Sequence, residues 1–598
     1  MSSWIRLMSL CVLAGCNTAL GQWVVRPLVM AGDPYPALTR SVFFAEFGVP
    51  SVSRNGKVGV SARLTGTGVT PANDTAIVRI DAPGVIFPIV REGDQAPGAA
   101  PGQVFGGAGF AFGLGPFTDV VTGAHGELVF AATLTGPGVT PANDTGIWYY
   151  NINTGNIAML MREGGAIALS PYTIASALVS RPLCPGVPES PLVATLAGPG
   201  ITSTNNTALV LGFPVPAGPR LLIQEGDPVF GPGAEVFGDF GAGSVKSHSL
   251  GAPILSMNTI LRGPGVGTGN DNAVFAGQYA AGQLPPVPML AREGDPAPAP
   301  FPGSVHGGLF SPPATAEPEF AVFNGQLAGP GIGVGNDEVV WWALTQGGVL
   351  LPLAAESLPV TNQPTLRHAG AFGIPVVTIG GLAVVAGDLA GPGVTPGVND
   401  RALFRGSNTF AEITVRRGEA IRAMPPGETI TGMFHAPAIT PTEWISTFAQ
   451  LTGPSITPGV NDEVLVVYWP NRFSSMAIRT GYALSAGIVS ELAFADGYTE
   501  GSGAHDGRPH MIDNQGRLVT RLTFTNSASG IYTSVPCYAN CTNNLNGFQA
   551  SIFEFLCYQN EFAIGSPYAC NCDMSTGINV CDVFDFLCFS NHFATGCP

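Results

Sequence analysis

Leu128, Phe130, Ala132 and Leu134 fall on alternate positions of one short run, and Val58, Val60, Ala62 and Leu64 do the same one unit earlier. A period of two puts these residues on one face of a β-strand. Three further β-prone runs accompany each such strand; in the second unit the four are Phe117 to Val121, Glu127 to Leu134, Gly146 to Tyr150 and Asn156 to Met161. The pattern predicts a core built from alternate residues of the second and third runs, such as Phe130, Ala132, Ile147 and Tyr149. Little helix is expected before residue 540.

The stretch Leu134 to Ile147, LTGPGVTPANDTGI, joins the second run to the third and recurs from Leu64, Leu196, Leu261, Leu327, Leu389 and Leu451. Its asparagines, Asn73, Asn143, Asn205, Asn270, Asn336, Asn399 and Asn461, follow one another at a nearly constant interval, the mark of an array of like units. Gly permits positive φ, Pro fixes its own, and Asn or Asp can cap the turn through its side chain. A second landmark, an REGD-like turn, keeps step, as at Arg91 to Asp94 and Arg292 to Asp295, and has an extra copy at Gly32-Asp33. Four antiparallel strands in each such unit describe a propeller blade.

The count closes a ring. A last, shortened unit offers three strands, near Pro509 to Ile512, Arg517 to Phe524 and Gly530 to Ser534, while the front supplies one surplus strand, Trp23 to Met30. One plus three completes an eighth blade, and closure removes the exposed edge across the ring. The expected fold is therefore all-β, an eight-bladed β-propeller over residues 22–535 closed by the N-terminal strand. A string of small β-sandwiches is the competing reading, and it needs no surplus strand.

Composition changes the picture at three points. Gly (80) and Pro (53) are abundant, yet apolar residues make up 45%, so these residues punctuate turns rather than signal disorder. A formal charge of -16 argues against nucleic acid or an anionic membrane as partner. Residues 1–21 carry one cation, Arg6, before a short apolar run, which predicts an export signal and a secreted or cell-surface protein. Cleavage after Ala19-Leu20-Gly21 competes with a lipobox at Leu13 to Cys16 that would leave a lipid on Cys16. No later run is long enough for a transmembrane span.

After Pro536 eight of the 11 cysteines crowd into residues 537–598. Two half-repeats, Ile552 to Phe562 and Val583 to Phe593, match position for position and fit short amphipathic helices whose phenylalanines face each other. The equal spacing of Cys541 with Cys557 and of Cys572 with Cys588 predicts a disulfide tying each loop to its helix, in preference to zinc. About sixty residues bury too little apolar surface to be comfortable alone, and cross-links supply what the core lacks.

The duplication, the Phe-Asp-Phe-Leu-Cys-Phe run at Phe584 to Phe589 and the terminus Gly596-Cys597-Pro598 resemble the dockerin-like anchors of secreted bacterial proteins. That resemblance implies a small helical domain that attaches the protein to a protein or cell-surface partner, with a calcium loop before each helix. The loops here are poor in carboxylates: the first has none before Glu554, and the second offers Asp573, Asp582 and Asp585 as weak calcium candidates, so no cofactor is expected. The repeat body, through Gly126 to Phe130 and Asp513 to Thr520, is similar to exported bacterial tandem-repeat proteins with an NxxGxxxAF signature, which implies surface display.

Catalytic signatures are missing: there is no GxSxG, no GxxxxGK[ST] and no HExxH. His505 and His510 lack a metal spacing and read as structural or solvated. The repeated Asp74, Asp144, Asp271, Asp337, Asp400 and Asp462, and the Glu92, Glu163, Glu225 and Glu293 series, read as turn and blade-packing elements, because one carboxylate per loop is thin for calcium. The balance leans away from an enzyme, toward a non-catalytic binding or scaffold protein with a glycan among its candidate ligands. The alternative is a propeller enzyme acting on polysaccharide. It requires acids that break the repeat, such as Asp119, Glu317 or Asp388, to meet within about 5 to 10 Å.

Overall fold

The computed structural model describes residues 23–595 except 37–40, 110–113, 119, 178–189, 214–216, 230–233, 241–244, 249–253, 279–286, 309, 317–318, 346–347, 409, 422–423, 433–434, 471–473, 495–509, 538, 540–551, 564–568, 570–571 and 573–580. The export stretch, Cys541, Asp119, Glu317, His505 and Asp573 therefore lie outside the described residues.

Eight antiparallel sheets follow one another along the chain, one per blade. In blade 1 the strands are Val42–Phe47 continued by Ser51–Val52, then Val58–Gly66, Thr75–Ala82 and Val85–Arg91. The innermost strand is split by a kink, its two halves pairing with opposite ends of the second strand. The sequence pattern missed the outer half, which follows directly from each REGD turn and is as short as Val104–Phe105.

Blade 8 closes as the count requires. Trp23–Met30 pairs antiparallel with Ser529–Pro536, from Trp23 opposite Pro536 to Met30 opposite Gly530. Leu518–Phe524, Gly487–Ala493 and the short Ala483–Leu484 complete the sheet. Trp23 is buried and meets Trp469 of blade 7 edge to face at 5.6 Å, and both indoles donate to Ser475 Oγ, at 2.9 and 2.7 Å.

The core lies between blades rather than within them. Phe130 and Ala132 join Ile77 and Val90 of blade 1, whereas Ile147 and Tyr149 join Leu192 and Val210 of blade 3. The expected core residues are thus buried, but so are the positions between them: Val129 and Ala131 face blade 3. A blade sandwiched between two others buries both faces, which is why its strands read as nearly continuous apolar runs.

In the tail the described helices are Ile552–Ala563 and Val583–Thr595. Phe555 meets Phe586 and Phe593 at 5.9 and 6.1 Å, and Tyr558 stacks on Phe589 at 3.7 Å. Among the described side chains the phenylalanine faces pair as expected except for Phe584, which is exposed. Cys572 and Cys588 form a disulfide, and Cys557, Cys537 and Cys581 are disulfide-bonded too.

Candidate functional site

Elements repeated from blade to blade turn out to be scaffold. Asn73 Oδ1 accepts from Thr70 N at 2.8 Å and its Nδ2 donates to the Gly68 carbonyl at 3.2 Å; Asn143, Asn205, Asn270, Asn336, Asn399 and Asn461 repeat the arrangement. Arg91 Nε clamps the same loop by donating to the Asn73 carbonyl, as do Arg162, Arg292 and Arg416 in their own blades. Glu92, Glu163 and Glu225 each accept from a threonine hydroxyl at the start of the third strand. These bonds satisfy turn and strand-end donors that burial would otherwise leave unpaired.

Function is better sought where one blade departs from the others. Counting back six residues from the leucine that opens each long loop, and across the ladder to the third strand, aligns the blades. The residue that follows the partner so reached is Asp81 in blade 1 and Asn151, Phe213, Gln278, Leu344, Ser407, Trp469 and Val535 in the others. The hairpin joining the first two strands aligns through one backbone bond, which starts from Ser53, Gly123, Thr378, Thr440 and Asp513 in blades 1, 2, 6, 7 and 8. Asp81 and Asp513 are each the single carboxylate of their series.

Ring closure brings these two together. A cavity of about 140 Å³ opens at the seam between blades 8 and 1, lined by Arg26, Asp81, Asp513, Arg517, Thr533 and apolar residues including Leu28, Val52 and Pro83. That is room for about one six-membered ring. Asp513 is fully buried; its Oδ1 accepts from the backbone N–H of Gln515 and Arg517, both at 2.9 Å, and its Oδ2 from Arg517 Nε at 2.5 Å. Gly56 sits flat against this pair at φ +81°, and a Cβ there would fall 1.9 Å from Arg517 Nη2. Asp81 accepts from Arg79 Nε at 2.7 Å and from Lys57 Nζ at 2.9 Å.

The two environments act in opposite directions. Burial raises Asp513 above the usual carboxylate range and outweighs Arg517 and the backbone donors. Burial also pushes Asp81 up, but the hydrogen bonds and charges of Arg79 and Lys57 prevail and hold it below that range.

The carboxylates singled out in the sequence do not converge among the described residues. Asp388 pairs with Arg401 inside its own blade at 2.7 Å. His510 is buried, not solvated, and its carbonyl accepts from Val52 N, tying blade 8 to blade 1. In the tail, Asp582 and Asp585 form a capping box: Asp582 Oδ1 accepts from the N–H of Phe584 and Asp585, while Asp585 Oδ2 accepts from Asp582 N at 3.0 Å. Helix capping thus occupies two of the three weak calcium candidates, Asp582 and Asp585. A group capable of coordinating a metal ion does exist there, Cys572, Cys588 and His592, with donor atoms within 4.8 Å of one another. Sulfur and imidazole suit zinc or copper rather than calcium, and in the oxidised tail the two sulfurs are bonded to each other. Reduction is expected to cost the tail about 3 kcal/mol of loop-closure entropy. Hydrogen exchange on the full chain should show faster exchange of residues 552–563 and 583–595 with dithiothreitol and no change with a chelator. A tail sensitive to calcium but not to dithiothreitol would reverse the assignment.

Fold and seam cavity together define an eight-bladed propeller with an inter-blade pocket that sets a few charged groups in a largely apolar wall. The chain belongs to a family of unknown function (DUF7453), which it matches over residues 21–175 and 192–537. A search of curated proteins gives no match. Among solved structures it is similar to a puromycin-hydrolyzing peptidase of Mycobacterium tuberculosis, at 12% identity and a TM-score of 0.36, covering 84% of this chain and 61% of that one. It is similar to prolyl oligopeptidase B from Galerina marginata at 9% identity and a TM-score of 0.34, covering 73% of this chain and 50% of that one. A PL25 ulvan lyase matches at 10% identity and a TM-score of 0.30, over 68% of this chain and 89% of its own. The chain thus spans 61% or less of the two peptidases, and likenesses this distant carry over no substrate or mechanism. The similar solved structures are predominantly enzymes, against the expectation of a non-catalytic binding or scaffold protein.

Proposed function

We propose that this protein is a propeller enzyme that cleaves polysaccharide at the seam between blades 8 and 1. One observation carries the reading: Asp81, the single carboxylate among its eight blade equivalents, and Asp513, the single one among the five blades aligned at its hairpin, line one ring-sized cavity in environments that drive their proton affinities apart. Such a divided pair is the arrangement acid–base chemistry needs. Asp513, whose proton affinity burial raises, is the group assigned to supply a proton to the leaving oxygen of a glycosidic bond. Asp81, held ionised, draws a proton from the attacking group or steadies positive charge on the sugar. The apolar wall of Leu28, Val52 and Pro83 offers a surface for the face of a sugar ring and limits water around the acid.

We further place the enzyme outside the cytoplasm, as the N-terminal stretch suggests, and the Cys572–Cys588 disulfide supports an oxidising compartment. The dockerin-like character of the tail rests on its sequence resemblance alone. Among the described residues no helix is long and apolar enough to cross a membrane.

The test is a reducing-end assay across soluble polysaccharides. Asp81→Asn and Asp513→Asn should each lower cleavage by roughly 10²-fold or more, whereas Asp388→Asn, in blade 6, should leave it unchanged. Cleavage undiminished in both variants, or no cleavage by the folded wild-type chain, would overturn the proposal.

A further inference from the structure

Charge at the seam is unbalanced. Asp81 is satisfied by Arg79 and Lys57, and Asp513 by Arg517 and two backbone amides. The remaining cation of the cavity wall, Arg26, makes no side-chain hydrogen bond or ion pair among the described residues, although it is half-buried. Around this one cavity four cations therefore meet two carboxylates, in a chain whose net charge is -16.

Arg26 is also poorly explained as scaffold. It lies on the closing strand opposite Thr533, and the equivalent partners in blades 1, 2, 5 and 7 are Phe87, Ala158, Leu351 and Ser475. Where a charge recurs at this place it is used at home: Glu412 pairs with Arg405, and Arg220 lies 5.0 Å over the ring of Phe213. Arg26 has neither use. A half-buried guanidinium without a counter-charge forfeits hydration that a ligand anion can replace.

We infer that Arg26 recognises a carboxylate on the ligand, so that the seam cavity takes a uronic-acid ring of an acidic polysaccharide. The planar fork of arginine matches a carboxylate through two parallel hydrogen bonds, and the cavity holds about one ring beside it. This inference rests on the reading of the cavity as a carbohydrate site and adds the substrate class. Arg26 is a binding residue and touches none of the proton transfers assigned to Asp81 and Asp513.

The experiment is calorimetric titration of the full chain with a galacturonate tetramer and with the neutral galactose tetramer of the same linkage. Asp513→Asn serves as the background if the wild type consumes the acidic sugar. The acidic tetramer should bind, more weakly as salt rises, and the neutral one should not. Arg26→Gln should weaken binding by about tenfold or more, and Arg26→Lys, which keeps stem and charge, by less. Thermal unfolding of each variant shows whether the closing strand remains in place. Equal binding of both sugars by the wild type, a comparison that needs no variant, overturns the inference, as does undiminished binding by a folded Arg26→Gln. Cleavage of neutral polysaccharide through Asp81 and Asp513 without uronide binding would leave the catalytic proposal standing and sink this one. Uronide binding that depends on Arg26, with no cleavage of any polysaccharide, would do the reverse.

Discussion

Removing Trp23–Met30 should unfold the ring rather than trim it. The strand buries Trp23, Val24, Val25, Leu28 and Val29, and at about 1.5–3 kcal/mol for each buried apolar side chain this is on the order of 10 kcal/mol. That equals the whole stability of a typical domain, about 5–15 kcal/mol. The loss is also not local, because Trp23 reaches Ser475 and Trp469 in blade 7 while Leu28 and Val29 pack with Val42 and Phe44 in blade 1. Without the strand, Ser529–Pro536 becomes an unpaired edge in an otherwise closed ring, open to pairing with another chain. A milder version, Trp23→Ala, should cost about 3–5 kcal/mol. Guanidinium unfolding followed by tryptophan fluorescence measures both. A deletion variant with an unchanged midpoint would refute the closure as the source of stability.

The ring itself was legible because its signals repeat. Eight turns and seven long loops gave the blade count, and the surplus front strand gave the closure, both from spacing. The candidate site was not legible for the opposite reason. Asp81 and Asp513 come from opposite ends of the ring's sequence, and each looks ordinary until its blade equivalents are aligned, which needs the strand register. Asp513 stands in the hairpin position of Ser53 and Thr440, where a hydroxyl caps the turn through the same bond to the N–H four residues on. A carboxylate replacing a hydroxyl cap leaves no trace in hydrophobic periodicity. Asp388 also breaks the repeat, but its partner Arg401 stands opposite it on the next strand. Column-by-column comparison of the units would have flagged Asp81 beside Asn151 and Ser407. It would also have flagged two histidines that composition alone hid.

Those histidines carry the second large expected effect. Each blade places one residue opposite the leucine that opens its long loop, and in blades 1, 2 and 4 it is Phe44, Phe105 and Phe237. In blades 5 and 6 it is His306 and His368. Both are buried among aromatic rings, His306 at 5.2 Å from Trp341 and His368 at 4.6 Å from Phe404, and neither Nδ1 has a hydrogen-bond partner among the described residues. Burial disfavours the charged imidazolium and lowers each pKa from 6.5 to about 4. The unfolded chain therefore binds these two protons first as pH falls. Their contribution to stability is intact above about pH 6.5 and is lost between there and about pH 4. At roughly 1.4 kcal/mol per pKa unit the loss approaches ~3 kcal/mol for each histidine at the acid end. His306→Phe with His368→Phe restores the residue used at the same place in blades 1, 2 and 4. It should raise stability modestly at pH 8, by removing unpaired buried nitrogens, and by several kcal/mol more at pH 5. Glu92, Glu293 and Glu356, whose proton affinity is raised chiefly by loss of hydration, favour the folded state as pH falls and oppose the histidines in the wild type. They are common to both proteins and cancel in the difference. Urea midpoints of wild type and double variant, measured between pH 8 and pH 4.5, should diverge as pH falls through 6.5. Parallel curves would mean that the imidazoles are solvated or paired in solution.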